Sequence, residues 1–451
     1  MPLIGTVADD LTGATTTGVL LARSKARTAV FFNVEAASNA EAVEELDAII
    51  ISSNSRPLPA NEAYDKVKDA TIALKNMGVK YYQKRTDTTM RGGIGVEIDA
   101  MLDQLSEEAV AVVVPAMPQS RRILVGGYSV IDGVALINTP VAQDVRTPVK
   151  ENYIPRLLAG QTRRKVGLVT LDKVLAGDEV IKEALAEQRA AGCQVIVADA
   201  ITLEDVENIA QACIALGWDV VTVDPGPFTA KMAYHRSLIG VEEPNLPPEA
   251  EEAGKTVLIA AGSATPVTKK QMEVLCEDSR HVRISVDPLS MIEGGTTALE
   301  EVEKAVHKAL EYLESGSRPR AILFETALHG ELLNLSEEDN KRHYAHGMSA
   351  DRINAGLGMI ISRVLEQTGR DRIAGLYTTG GDTMVNVCRQ LGVECIEVLD
   401  YVIPQTDIGR LVGSYDGLPV VGKGGLTGND HTACDIVDRL FRESERTLIR
   451  K

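Results

Sequence analysis

Short apolar runs alternate with helix-length stretches along nearly the whole chain, and this alternation constrains the fold more than any other feature. Residues 3–7, 28–32, 48–52, 79–83 and 110–114 read as strands, with helical patterns over 11–22, 61–77 and 94–105 between them. A parallel pair of strands needs a crossover long enough to hold a helix, so the pattern predicts a mostly parallel sheet. Residues 122–138 break the rhythm. There RILVGGYSV and VALINT flank Asp132-Gly133, a good hairpin turn, and the insert is expected to form a β arm beside a site or a contact in a homodimer. Alternation resumes with strands at 166–170, 194–198 and 220–223 and helices at 178–191, 203–216 and 229–238.

Residues 241–255, VEEPNLPPEAEEAGK, are rich in Pro and Glu and lack apolar periodicity, which marks a linker. Beyond it the alternation restarts with a strand at 256–260 and includes a long amphipathic helix over 351–365. A chain of 451 residues exceeds one ordinary core. The predicted fold is α/β in two domains, 1–245 and 256–451, each a mostly parallel or mixed sheet flanked by helices, with a β-hairpin insert in the first.

A net charge of −17 argues against a nucleic-acid or membrane-surface partner, either of which favours a basic face. An anionic ligand would then need a local cluster of Arg and Lys. The six cysteines form no CxxC pair and read as buried, reduced thiols. No basic leader or membrane-length apolar run is present, so a cytoplasmic protein is expected.

Chemistry gathers where strands end. Asp9 and Asp10 follow the first strand, and Asn54, Ser55 and Arg56 follow the third. Lys84, Arg85, Asp87, Thr88, Thr89 and Arg91 follow the fourth; Gln119, Arg121 and Arg122 follow the fifth. Open α/β sheets bind ligands beyond the carboxyl ends of their strands. In the second domain the same positions carry glycine turns: Gly262-Ser263-Ala264-Thr265, Gly380-Gly381-Asp382-Thr383 and Lys423-Gly424-Gly425. Glycine lets backbone approach a ligand, and the first N–H groups of the following helix suit an anion. Asp382 fits either a helix cap or a Mg²⁺ ligand. Gly417 to Lys423 matches P-loop spacing but ends in Gly424 where Ser or Thr should ligate Mg²⁺, so a Walker-type NTPase is rejected. No GxGxxG follows a strand, no GxSxG occurs, and His343 with His346 lacks a third zinc ligand nearby.

These blocks resemble those of the four-carbon acid sugar kinases. The resemblance rests on VADDLTGA at Val7, SNSRPLPANEAY at Ser53, KRTDTTMRGGIGVEI at Lys84, PAMPQSRR at Pro115 and VIDGVALINT at Val130. It continues with GSAT, TTGGDT and LPVVGKGG in the second half. It spans nearly the whole chain in the family's order, and it implies an amino-terminal sugar-acid domain and a carboxyl-terminal ATP domain. Three positions depart from the pattern: Thr16 replaces an Asp, Asp382 a Glu and Ser120 a Gly, which bears on the acid taken more than on the reaction.

The expected reaction is Mg²⁺- and ATP-dependent phosphorylation of the terminal hydroxyl of threonate, erythronate or a related 3-oxo acid, in a cleft between the domains. Asp10 or Asp87 is expected to orient the attacking hydroxyl and accept its proton, with Asp9 fixing the loop. Arg91 is the first choice for the substrate carboxylate, with Arg56 and Lys84 in reserve. Ser263, Gly380, Gly381, Asp382, Thr383, Lys423, Gly424 and Gly425 are expected to hold the nucleotide, Asp382 also touching the metal. Open beside this are a sugar-acid sensor without turnover, a kinase for a branched or five-carbon acid, and a dehydrogenase.

Overall fold

A computed structural model describes residues 2–144, 147–247, 254–316, 318–329, 332–425 and 427–445. The chain divides into two compact units, Met1–Pro244 and Asn245–Lys451. The division falls within the stretch read as a linker, of which 248–253 lie outside the described residues.

In the first unit the strands are β1 (Ile4–Ala8), β2 (Thr28–Phe31), β3 (Ala48–Ser52), β4 (Tyr81–Arg85) and β5 (Val110–Val113). An insert carries β6 (Arg122–Val125), β7 (Tyr128–Ile131) and β8 (Val134–Ala135), and β9 (Val166–Val169), β10 (Val195–Ala198) and β11 (Val220–Asp224) follow. The main sheet runs β2-β3-β1-β4-β11-β5-β10-β9, and every neighbouring pair is parallel. Helices on its faces explain the continuous apolar runs: all five residues of β3, AIIIS, are buried. Strand order reverses at β1, which sends β2 and β3 to one side and β4 to the other, so a crevice opens between the carboxyl ends of β1 and β4. Ala8 and Arg85 are paired there, directly before Asp9 and Thr86.

The insert differs from the single hairpin expected. It is a three-stranded antiparallel sheet, because Gly126-Gly127 turns as well as Asp132-Gly133. Both glycines of the first turn have positive φ, and the backbone N–H groups of both are held by the carboxylate of Asp199, at 2.6 and 2.8 Å. The residues after Ala135 form 3₁₀ turns, so VALINT is not a long strand.

The second unit contains β12 (Thr256–Ala261), β13 (His281–Ser285), β14 (Ala321–Glu325), β15 (Ile373–Thr379), β16 (Val393–Ile403), β17 (Thr406–Gly413) and β18 (Pro419–Lys423). Their order is β13-β14-β12-β15-β18-β17-β16; the first five are parallel and β17 is antiparallel to both neighbours. The switch point here lies between β12 and β15. Register pairs Ala261 with Thr379 and Thr379 with Lys423, so all three glycine turns leave adjacent strands at one level.

Candidate active site

At the switch point of the first unit, Asp10 caps the helix Leu11–Arg23 by accepting the Gly13 N–H at 2.8 Å. The cap is also part of a charge cluster. Arg56 bonds Asp9 through Nε and Asp10 through Nη1, both at 2.7 Å, and Arg85 Nη1 lies 3.2 Å from each carboxylate. Gly13 is required beside it, because a Cβ there would overlap the Arg85 guanidinium. Burial pushes the Asp9 carboxyl up, but Arg56, Lys84 and Arg85 outweigh it and hold the group at about 2. Asp87 is likewise pushed up by burial and carried far below the ordinary range by Arg56 and Arg91. The three carboxylates differ in access: Asp10 is 28% exposed, Asp87 7% and Asp9 2%.

Asp9, Asp10, Arg56, Asp87 and Arg91 therefore come together as expected from the strand ends. Two of the expected ligand cations already have carboxylate partners. Lys84 is wholly buried, 2.7 Å from Glu97, and donates to the Arg85 carbonyl, so it braces the cluster from behind. Arg91 is engaged by Asp87 at 2.6 Å and by Asp144 at 3.2 Å, which leaves its charge largely cancelled before any ligand arrives. Arg85, Glu97 and Asp144 were missing from the expected set. Arg85 and Glu97 both sat in the KRTDTTMRGGIGVEI block; Asp144 gave no local signal, since only the fold brings it to Arg91. Beside Arg56 a cavity of about 680 Å³ opens between Met90, Gly92, Gly93 and Lys150.

In the second unit the three turns interlock. Thr265, which caps the helix Pro266–Leu275, donates to the Gly425 carbonyl at 2.5 Å, and Thr268 does so at 3.1 Å. A Cβ on Gly425 would sit 2.7 Å from Ser263 Oγ, and one on Gly262 would overlap Thr383 Oγ1. Thr383 in turn donates to Asn354 at 2.7 Å, and the Ser263 N–H to Thr379 Oγ1 at 3.2 Å. Asn354 was unforeseen, being one buried polar residue on the helix Met348–Thr368. No side chain caps the first turn of the helix Gly381–Gln390, so its leading N–H groups are left for an anion. An apolar cavity of about 70 Å³ lies beside Gly262, lined by Pro288, Leu332, Leu335 and Ile353.

Asp382 stands in that uncapped turn, exposed, and its carboxylate is not the cap; Gly380 holds the cap position. Lys423 is turned inward. Its Nζ donates to the carbonyls of Gly424 at 2.8 Å and Thr427 at 3.2 Å, and burial lowers it to about 8. These two bonds fix the shape of the loop that follows β18. His343 and His346 are both exposed, and among the described residues no group of three His, Cys, Asp or Glu side chains could hold a metal by itself.

Known proteins can be set beside this geometry. A family model described as a sugar-binding N-terminal domain matches residues 4–232, and one described as a nucleotide-binding C-terminal domain matches 258–433. A D-erythronate kinase of Heliobacterium modesticaldum is 38% identical over 96% of each chain. The chain belongs to the four-carbon acid sugar kinase family. Within that family a D-threonate kinase of Salmonella typhimurium is 30% identical over 95% of this chain and 96% of its own. A 3-oxo-tetronate kinase of Pseudomonas savastanoi pv. phaseolicola is 27% identical over 90% of both. A crystal structure from Haemophilus influenzae has the same fold, with a TM-score of 0.73 at 24% identity over 97% of this chain and all of that one. As a family kinase the chain carries its charge cluster and its glycine cradle in the two units that the two family models cover.

Proposed function

We propose that this kinase transfers the γ-phosphoryl group of ATP to the terminal hydroxyl of a four-carbon sugar acid, D-erythronate before D-threonate or 3-oxo-tetronate. The observation that carries the reading is the pair of switch points: one lined by carboxylates and guanidinium groups suited to a hydroxylated acid, the other by glycine turns and an uncapped helix start suited to a polyphosphate. Preference for erythronate rests on the 38% relative.

Phosphoryl transfer depends on position and charge neutralisation more than on covalent help. Asp10 is the base in this reading. It is the most accessible of the three carboxylates, at 28% exposed against 7% for Asp87 and 2% for Asp9, and so the one a substrate hydroxyl can reach. Arg56 and Arg85 fix the direction of Asp10. In the second unit the first turn of Gly381–Gln390, with Ser263 and the Gly424-Gly425 turn, would receive the phosphates. Asp382 would hold a Mg²⁺ that arrives on the nucleotide, since a single exposed carboxylate with phosphate oxygens is an ordinary Mg²⁺ environment. When bound, that ion supplies charge neutralisation between the phosphates.

Purified protein incubated with Mg-ATP and a panel of four- and five-carbon sugar acids tests the proposal through ADP release. Acid-dependent ADP, fastest with D-erythronate, is the expected result. Binding of acids without any ADP would replace the kinase by a sensor, and NAD(P)⁺ reduction with an acid would replace it by a dehydrogenase.

A further inference from the structure

The strand ends of the first unit are rich in cations, but nearly all are already spoken for. Arg56 and Arg85 share Asp9 and Asp10, Lys84 has Glu97, and Arg91 has Asp87 and Asp144. Arg122, arriving from the end of β5, is different. Its Nε donates to Thr88 Oγ1 at 3.1 Å and its Nη1 to the Ser120 carbonyl at 2.5 Å, both neutral acceptors. Among the described residues it forms no ion pair, and its Nη2 makes no hydrogen bond. Thr88 belongs to the same loop as Asp87, so this unneutralised guanidinium borders the charge cluster.

The backbone around Arg122 is built to hold it there. Arg122 exchanges hydrogen bonds with Met117, at 2.9 and 3.2 Å, and pairs with Ile131 across the insert. Arg121 sits in the left-handed region at φ 56°, and its side chain leaves for the surface, where it is 76% exposed and meets Asp132 at 3.3 Å. Consecutive arginines thus take different directions, one to solvent and one to the site.

We propose that Arg122 is the residue that receives the substrate carboxylate, and hence the one that separates a sugar acid from the neutral polyol of the same length. The proposal rests on the sugar-acid reading above. A guanidinium pinned by neutral acceptors keeps its full charge, and its Nη2, which makes no hydrogen bond among the described residues, is left for a carboxylate. On a chain of net charge −17 an acid has to be met by a local positive group, and Arg122 is one that no carboxylate has cancelled.

The test compares wild type, R122Q and R122K as full-length proteins, with D-erythronate and erythritol as acceptors, Mg-ATP as donor, and calorimetric binding of D-erythronate alone. Loss of a charge-assisted fork predicts that R122Q raises KM and Kd for the acid about 30-fold or more. KM for ATP should stay within about twofold, because the change touches no phosphate contact. The acid-to-erythritol ratio of kcat/KM should fall, and R122K should recover only part of the loss. An unchanged KM for the acid, or equal losses toward acid and erythritol, overturns the proposal. Acid binding that depends on Arg122 without any ADP release overturns the kinase reading while supporting Arg122. Absence of acid binding by wild type overturns both.

Discussion

Asp10 combines a helix cap and a partner for two arginines in one carboxylate, and these duties separate by substitution. D10A should lower kcat about 100-fold or more, the usual contribution of a positioned base, while KM for ATP stays within about twofold. D10N keeps an oxygen for the Gly13 N–H and loses the charge; if it turns over like wild type, Asp10 is a cap and no base. Lys84 and Glu97 make a second claim at this scale. Both are sealed from water, so K84M strands a buried carboxylate and should cost about 3–5 kcal/mol in urea or thermal denaturation. K84M/E97M, which removes both charges, should recover most of that loss. Equal losses in single and double variants would mean that packing, not pairing, matters there.

At the scale of the element, Lys423 makes the loop after β18 sensitive to pH. Burial holds its ammonium at about 8, below an ordinary 10.5, so the folded chain gives up this proton first. As pH rises through about 8, the charge held by the Gly424 and Thr427 carbonyls is lost, and KM for Mg-ATP should climb. In K423M that pH-dependent rise should vanish. Stability from this group runs the other way: between about 8 and 10.5 the unfolded chain binds more protons, so the fold gains stability with rising pH. A flat KM profile in wild type from pH 7 to 9 would remove Lys423 from the account.

Elements were legible where burial wrote a simple pattern. β3 is buried throughout and apolar up to its last residue, Ser52, and its bounds match the expected run. β4 is displaced by two residues from the expected 79–83, because it ends in Lys84 and Arg85, buried charges that read as loop. Gly381-Asp382-Thr383, read as part of a glycine turn, are instead the first turn of a helix, a start that glycine's low helix propensity does not announce. Strand ends could be picked out as chemical, but not which cations were already paired. Asp144 lies 53 residues from Arg91, and no local spacing announces that contact.

On the scale of the whole molecule, an acidic chain needs local donors where an anionic ligand binds, and in the proposed reading each unit supplies them at its own switch point. The first uses side chains, the second backbone N–H groups with a buried lysine behind them. No helix among the described residues is long and apolar enough to cross a membrane. A crystal structure of the full chain with D-erythronate and a non-hydrolysable Mg-ATP analogue tests this division of labour most directly. The phosphates should lie against Ser263, Gly380, Gly381, Asp382 and Thr383, and the acid beside Asp10 and Arg56 with its carboxylate on Arg122. Nucleotide bound among Asp9, Asp10 and Arg85, or an acid bound in the second unit, would contradict it.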